Sequence, residues 1–145
     1  MNLEMTIGRR GIGYNHPCYI IAEGCDNHLG NLCVAKKMIL QAKLAGADAI
    51  KFQHHLPDEE MLPDTPMSDN FEEPLYEFLK KYALKLEGHR ELMAYCREIG
   101  MQYLCTPFSY KAAEEMVGLG LEAIKIGSGE MTDIPSLVKM AKRSS

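Results

Sequence analysis

At 145 residues, with 46% hydrophobic and 25% charged side chains, the chain is long enough for one domain with a real core, because a chain of about 150 residues buries roughly 70% of its unfolded surface. A formal net charge of −4 argues against a nucleic-acid or anionic-membrane binder, so any positive charge that serves an anionic ligand must be local. No apolar run approaches the roughly 20 residues of a membrane span and none follows Arg9 and Arg10, so a soluble, cytoplasmic protein is expected.

Residues 1–17 hold a β-prone piece at Met5-Thr6-Ile7, then Gly-Arg-Arg-Gly and Ile12, and read as a hairpin or cap ahead of the main fold in residues 18–145. Cys18 to Ala22 is a continuous apolar run ending in Glu23, the pattern of a strand buried on both faces. Asn31 is a plausible helix cap for the apolar positions Val34, Ala35, Met38, Ile39, Ala42 and Ala45, with Gly46 as the stop. Ala47 to Gln53 is the next strand, and a crossover of this length is the βαβ unit of a parallel sheet. Leu56 to Glu73 is rich in Pro, Asp and Glu, with Met61 and Met67 as possible anchors. Its length suits either a functional lid or a surface insertion without a role.

Two helices follow, over Pro74 to Leu84 and over about Gly88 to Ile99. Gln102 to Phe108 is a strand limited by Pro107, which cannot donate to a central ladder. Ser109 can cap a helix through Val117, a fourth strand is expected at Ala123 to Ile126, and a last helix starts near Pro135. Strands and helices alternate throughout, so the fold class is α/β, as an open doubly wound sheet or part of a (β/α)₈ barrel. No GxGxxG follows the first strand, and polar residues stand at the carboxyl end of each strand, the edge where barrel active sites lie. The five cysteines are odd in number and lack CxxC spacing, which fits reduced core thiols.

Those strand ends carry Glu23, Asn27 and His28, then Lys51 and Gln53, then Thr106, then Lys125, Ser128 and Glu130. A lysine inside an apolar strand needs an anion. Two lysines and two hydroxyls from different strands therefore suit a small polyanion, with the ammoniums as point charges and the hydroxyls as directional donors. Glu23 and Glu130 could act as general base or acid, or bind a sugar hydroxyl. Each residue also has a plainer reading: a lysine can snorkel or pair with a neighbouring Glu, Thr106 can simply fill its strand, and Ser128-Gly129 can be a turn. His54 and His55 are adjacent on a strand, point to opposite faces and cannot easily share a metal site; they are taken as non-ligands.

Ile21-Ala22-Glu23, Asn27-His28-Leu29-Gly30, Ala45 to Gln53, Cys105-Thr106-Pro107-Phe108 and Lys125 to Glu130 together resemble the N-acetylneuraminate (sialic acid) synthase family, in order and in spacing. The resemblance implies a (β/α)₈ barrel, of which this chain covers about the first half, that condenses phosphoenolpyruvate with an N-acetylated hexosamine such as N-acetylmannosamine to a 2-keto sugar acid and phosphate. Related legionaminic, pseudaminic and spore-coat polysaccharide synthases share the motifs, and a non-catalytic anion-binding half barrel is the reading from another class.

By the same resemblance Lys51 and Thr106 hold the phosphoenolpyruvate carboxylate, Lys125 and Ser128 its phosphate, and Gln53 the amino sugar. Glu23 and Glu130 border the reacting carbons, and His28 lies in the substrate loop. A divalent metal, manganese or magnesium, is implied as Lewis acid, with ligands outside these residues, and the full-length form is expected to be a homodimer. The family commonly reads Ala-Glu-Ile-Gly where this chain has Ala22-Glu23-Gly24-Cys25, so another loop shape is expected there. A half barrel of this kind is expected to be catalytically incompetent alone.

Overall fold

The computed structural model describes residues 4–67 and 72–143. Three parallel strands, β3 (Ile21–Cys25), β4 (Ala49–His54) and β5 (Gln102–Pro107), form a sheet in the order β3-β4-β5, and an antiparallel hairpin of β1 (Met5–Ile7) and β2 (Arg10–Ile12) stands apart from it. The hairpin lies against the amino ends of the sheet: Arg10 pairs with Asp48, just ahead of β4, and a Cβ on Gly8 would strike the Gln102 side chain at the start of β5.

The strands are joined by α1 (Leu32–Leu44) between β3 and β4, and by α2 (Pro57–Glu60), α3 (Leu75–Tyr82) and α4 (Leu86–Glu98) between β4 and β5. α5 (Tyr110–Gly118) and α6 (Ile134–Arg143) follow β5. Alternation along the strands gives the sheet two different faces. Ile50, Phe52, Tyr103 and Cys105 point to the helices and pack with Ala35 and Ile39 of α1 and Leu92, Met93 and Cys96 of α4 as the core. Removing a side chain such as Phe52 or Leu92 from water contributes roughly 1.5–3 kcal/mol each. The opposite face presents Glu23, Lys51, Gln53 and Thr106.

Local signals account for the helix ends. Asn31 accepts from the Cys33 and Val34 amides at 2.9 and 3.2 Å, and Ser109 accepts from Ala112 N at 3.1 Å. Gly46, at φ 85°, and Gly100, at φ 67°, turn the chain out of α1 and α4 in the left-handed conformation that glycine holds without strain. Asp133 caps α6 by accepting from Ser136 N at 3.2 Å, a cap the sequence reading did not single out.

Several expectations are corrected. The first main strand begins at Ile21, not Cys18, and is not buried on both faces: it has β4 as its neighbour, and Ile20 and Ile21 are exposed. The fourth strand reduces to a single parallel bridge between Cys105 and Ile124, with Lys125 N donating to Cys105 O at 3.0 Å. Gly127 to Gly129 turn the chain at once into a 3₁₀ turn at Gly129–Thr132, which ends the pairing. Of the cysteines, all of them free, Cys96 and Cys105 are core thiols whereas Cys18 and Cys33 are exposed. In the long connection Met61 is half-buried and Met67 is exposed.

Candidate functional site

The polar face of the sheet is built by register. β3 and β4 pair Glu23 with Lys51, and β4 and β5 pair Gln53 with Thr106. Paired residues in a parallel sheet share a face, so all four side chains stand together at the carboxyl ends of the strands. Lys51 is 6% exposed. Its ammonium lies 2.7 and 2.8 Å from the two Glu23 oxygens and donates to Thr106 Oγ1 at 3.2 Å. The anion that meets this buried charge within the chain is thus Glu23, one of the alternatives open for a strand lysine. Glu23 keeps about half of its side chain in solvent, at 53% exposure, so Lys51 is an ammonium at the floor of an open edge, with a directional hydroxyl beside it.

Ile124 packs on the helix side, so alternation puts Lys125 on the same side as Thr106. Lys125 and Ser128 are both exposed, so the ammonium expected to be buried in this last stretch is not; among the described residues the buried lysine is Lys51. Glu130 folds back beneath Gly127, where any Cβ would collide with its carboxylate, and its Oε2 is buried with no hydrogen-bond partner among the described residues.

Beside the clamp is an open cavity of about 600 Å³, lined by Cys25, Asp26, Gln53, His55 and Glu130, by Glu60 and Met61 from the start of the long connection, and by apolar side chains of α3. The sequence did not single out Asp26 and Glu60, and it weighed His55 only as a metal ligand; all three line this cavity. The His55 ring is stacked on Phe108 at 4.2 Å and 17°. Its Nδ1 lies 3.0 Å from Glu60 Oε2 and its Nε2 3.2 Å from Asp26 Oδ2. Burial alone opposes its charge, but the hydrogen bonds to Asp26 and Glu60 outweigh burial and raise its pKa to about 9. The only hint in the sequence was the alternation that sends His54 and His55 to opposite faces.

His54 indeed faces the helices. Its Nε2 is 2.9 Å from Glu115 Oε2 of α5, and its ring meets His89 of α4 edge-on at 4.6 Å. His89 Nδ1 is 2.7 Å from the Tyr103 hydroxyl, and burial, reinforced by His54, holds its pKa down at about 3. His28, expected to contact substrate, is 1% exposed, accepts from Gly30 N through Nδ1 at 2.9 Å and packs on Phe52. It braces the loop after β3 from within, because that loop turns at Leu29 and Gly30, both with positive φ.

Cys25 has φ 46°, a left-handed backbone natural for glycine and uncommon for other residues. Its thiol reaches Glu23 Oε2 at 3.7 Å and is pushed above its ordinary pKa by burial and by the Glu23 charge. The loop thus takes a glycine-like turn at the residue that stands where the family carries glycine.

A larger groove of about 900 Å³ lies at the other end of the strands, lined by Arg9, Arg10, Lys43 and Arg97 together with Asp48 and Glu122. It faces the amino ends, away from the edge where parallel α/β sheets gather their functional side chains. Among the described residues no group of three or more His, Cys, Asp or Glu side chains could hold a metal ion. The ligands that the resemblance implies for a divalent metal were expected outside these residues.

The profile of the NeuB family matches residues 38–145. Human N-acetylneuraminate-9-phosphate synthase is 33% identical over 148 residues, which cover 99% of this chain and 41% of that protein. The N,N'-diacetyllegionaminic acid synthase of Legionella pneumophila is 33% identical over 141 residues, 90% of this chain and 38% of that protein. The crystal structure of the N-acetylneuraminic acid (sialic acid) synthetase of Leptospira borgpetersenii, in complex with citrate, superposes with a TM-score of 0.86 at 29% identity, over 99% of this chain and 47% of that one. The chain spans about two fifths of the length of these curated relatives. Among the described residues no helix is long and apolar enough to cross a membrane.

Proposed function

The chain belongs to the NeuB family, and we propose that it supplies the phosphoenolpyruvate-binding part of a (β/α)₈-barrel synthase that joins phosphoenolpyruvate to an N-acetylated amino sugar. The observation that carries this reading is the buried Lys51 ammonium, hydrogen-bonded to Thr106 and Glu23 at the carboxyl edge of three parallel strands and next to a cavity of substrate size. Human and Legionella relatives with different product names match this chain at the same 33% identity. The acceptor is accordingly proposed as a class, the N-acetylated hexosamines.

In the proposed reaction C3 of phosphoenolpyruvate bonds to the aldehyde carbon of the sugar, whose oxygen takes up a proton. Water adds at C2, and the bond from C2 to the phosphate oxygen breaks, leaving a ketone and inorganic phosphate. Lys51 and Thr106 receive the carboxylate, with Lys51 shared between it and Glu23. Lys125 and Ser128, next along the same edge, receive the phosphoryl group as point charge and donor. Glu23 accepts a proton from the adding water, and Glu130, half-buried at the cavity wall with one buried oxygen that has no partner among the described residues, accepts from a sugar hydroxyl.

Isothermal titration of phosphoenolpyruvate into the wild-type chain and into Lys51→Met tests this. Binding to the wild type that weakens at least about tenfold in the variant, the loss of one charge-assisted contact, is expected. The melting temperature should move little, because Glu23 is open to solvent and rehydrates. Equal binding by the two proteins contradicts the reading.

A further inference from the structure

His55 is almost fully enclosed, yet each of its ring nitrogens faces atoms that can only accept. Nδ1 lies 3.1 and 3.0 Å from the two Glu60 oxygens. Nε2 lies 3.2 Å from Asp26 Oδ2 and 3.2 Å from Gln53 Oε1. A carboxylate has no proton to give, so both nitrogens must donate, and only the doubly protonated ring does so. The amide atom that Gln53 turns toward Nε2 must then be its oxygen. Its NH₂ group is consequently directed away from His55, on a side chain that lines the cavity.

We propose that His55 is a positioning residue: clamped between Asp26 and Glu60 and stacked on Phe108, it fixes the Gln53 amide as a donor, so that the cavity selects a ligand with an oxygen acceptor at that point. The assignment of that acceptor to the N-acetylated sugar rests on the function proposed above. The clamp ties together four segments, since Asp26 follows β3, His55 follows β4, Glu60 belongs to α2 and Phe108 follows β5. Other titratable groups nearby are Glu130 and Cys25, which line the same cavity, His28, whose Nε2 lies 3.8 Å from Asp26 Oδ1 and whose pKa burial lowers, and His54 and His89 on the helix side of the sheet, His89 held neutral by burial. The atoms that face the His55 ring nitrogens are those of Asp26, Glu60 and Gln53.

Losing one proton reverses the arrangement. Glu60 faces Nδ1 with both oxygens and retains that proton, so Nε2 becomes an acceptor. The Gln53 amide then turns to donate to it, and its oxygen meets the oxygen of the ligand. The hydrogen bonds to Asp26 and Glu60 place this change near pH 9.

The test combines ¹⁵N-histidine NMR of the whole chain with titrations of N-acetylmannosamine and of phosphoenolpyruvate into wild type and His55→Gln. Both His55 ring nitrogens are expected to be protonated near neutral pH and to titrate at about 9. The variant is expected to bind N-acetylmannosamine roughly tenfold more weakly, one hydrogen bond's worth, to keep its phosphoenolpyruvate affinity, and to lose the alkaline fall in sugar affinity that the wild type shows. A neutral His55 ring near pH 7, unchanged sugar affinity in the variant, or an equal loss for both ligands overturns the inference. Failure of phosphoenolpyruvate to bind the wild type overturns the proposed function instead, and the ring titration still decides the state of His55.

Discussion

Lys51 shows how a single buried charge organises this edge. An ammonium that is 6% exposed needs a partner, and the chain supplies one in Glu23, directly across the β3–β4 ladder. The same pairing sets a limit on anion binding, since two ammoniums, Lys51 and Lys125, are balanced by two carboxylates, Glu23 and Glu130. Glu23→Gln removes a unit charge from beside Lys51 while keeping its shape. Affinity for phosphoenolpyruvate should therefore rise by roughly tenfold, the size expected for a charge a few ångströms away in a half-solvated setting. Calorimetry of the Gln variant checks this, and weaker binding would mean that Glu23 itself holds the ligand or orients Lys51 for it.

At the level of elements, the signals that were legible in the sequence are those that act within a few residues. Asn31 and Ser109 cap their helices, Gly46 and Gly100 end theirs, and Pro107 closes β5, each as its local chemistry dictates. Asn31→Ala should cost about 1 kcal/mol by stripping two amides of their acceptor. Leu92→Ala, at a fully buried α4 position against β4 and β5, should cost roughly 2–5 kcal/mol. Chemical denaturation of the two variants separates these ranges. Much of what the sequence did not disclose depends on which side chains other elements bring alongside. His28 looked like a loop residue facing substrate, but Phe52 from β4 gives it a buried place. His55 looked idle until Asp26 and Glu60, 29 and 5 residues away by number, closed on its two nitrogens. The segment around Lys125 reads as a strand from its apolar run, but it makes one bridge because the following glycines turn the chain.

Across the whole molecule two histidines set opposite limits on stability. His89 is held neutral, with a pKa of about 3 against 6.5, so below pH 6.5 the unfolded chain binds more protons, and stability falls as the pH drops toward 3. His55 is held charged, with a pKa of about 9 against 6.5, so its contribution is complete below 6.5 and is lost as the pH rises through 9. Thermal melts at about pH 4.5, 7 and 10 should therefore peak near neutrality, each limb amounting to a few kcal/mol, and His55→Gln should flatten the alkaline limb alone. The molecule also offers cationic side chains at both ends of its strands, Lys51 and Lys125 at the carboxyl edge and Arg9, Arg10, Lys43 and Arg97 in the larger groove. Which of them takes the anion is the central question, and amide chemical-shift mapping with phosphoenolpyruvate answers it most directly. Shifts centred on Lys51, Thr106, Lys125 and Ser128 are predicted; shifts centred on Arg9, Lys43 and Arg97, with the Lys51 edge unmoved, would contradict the account.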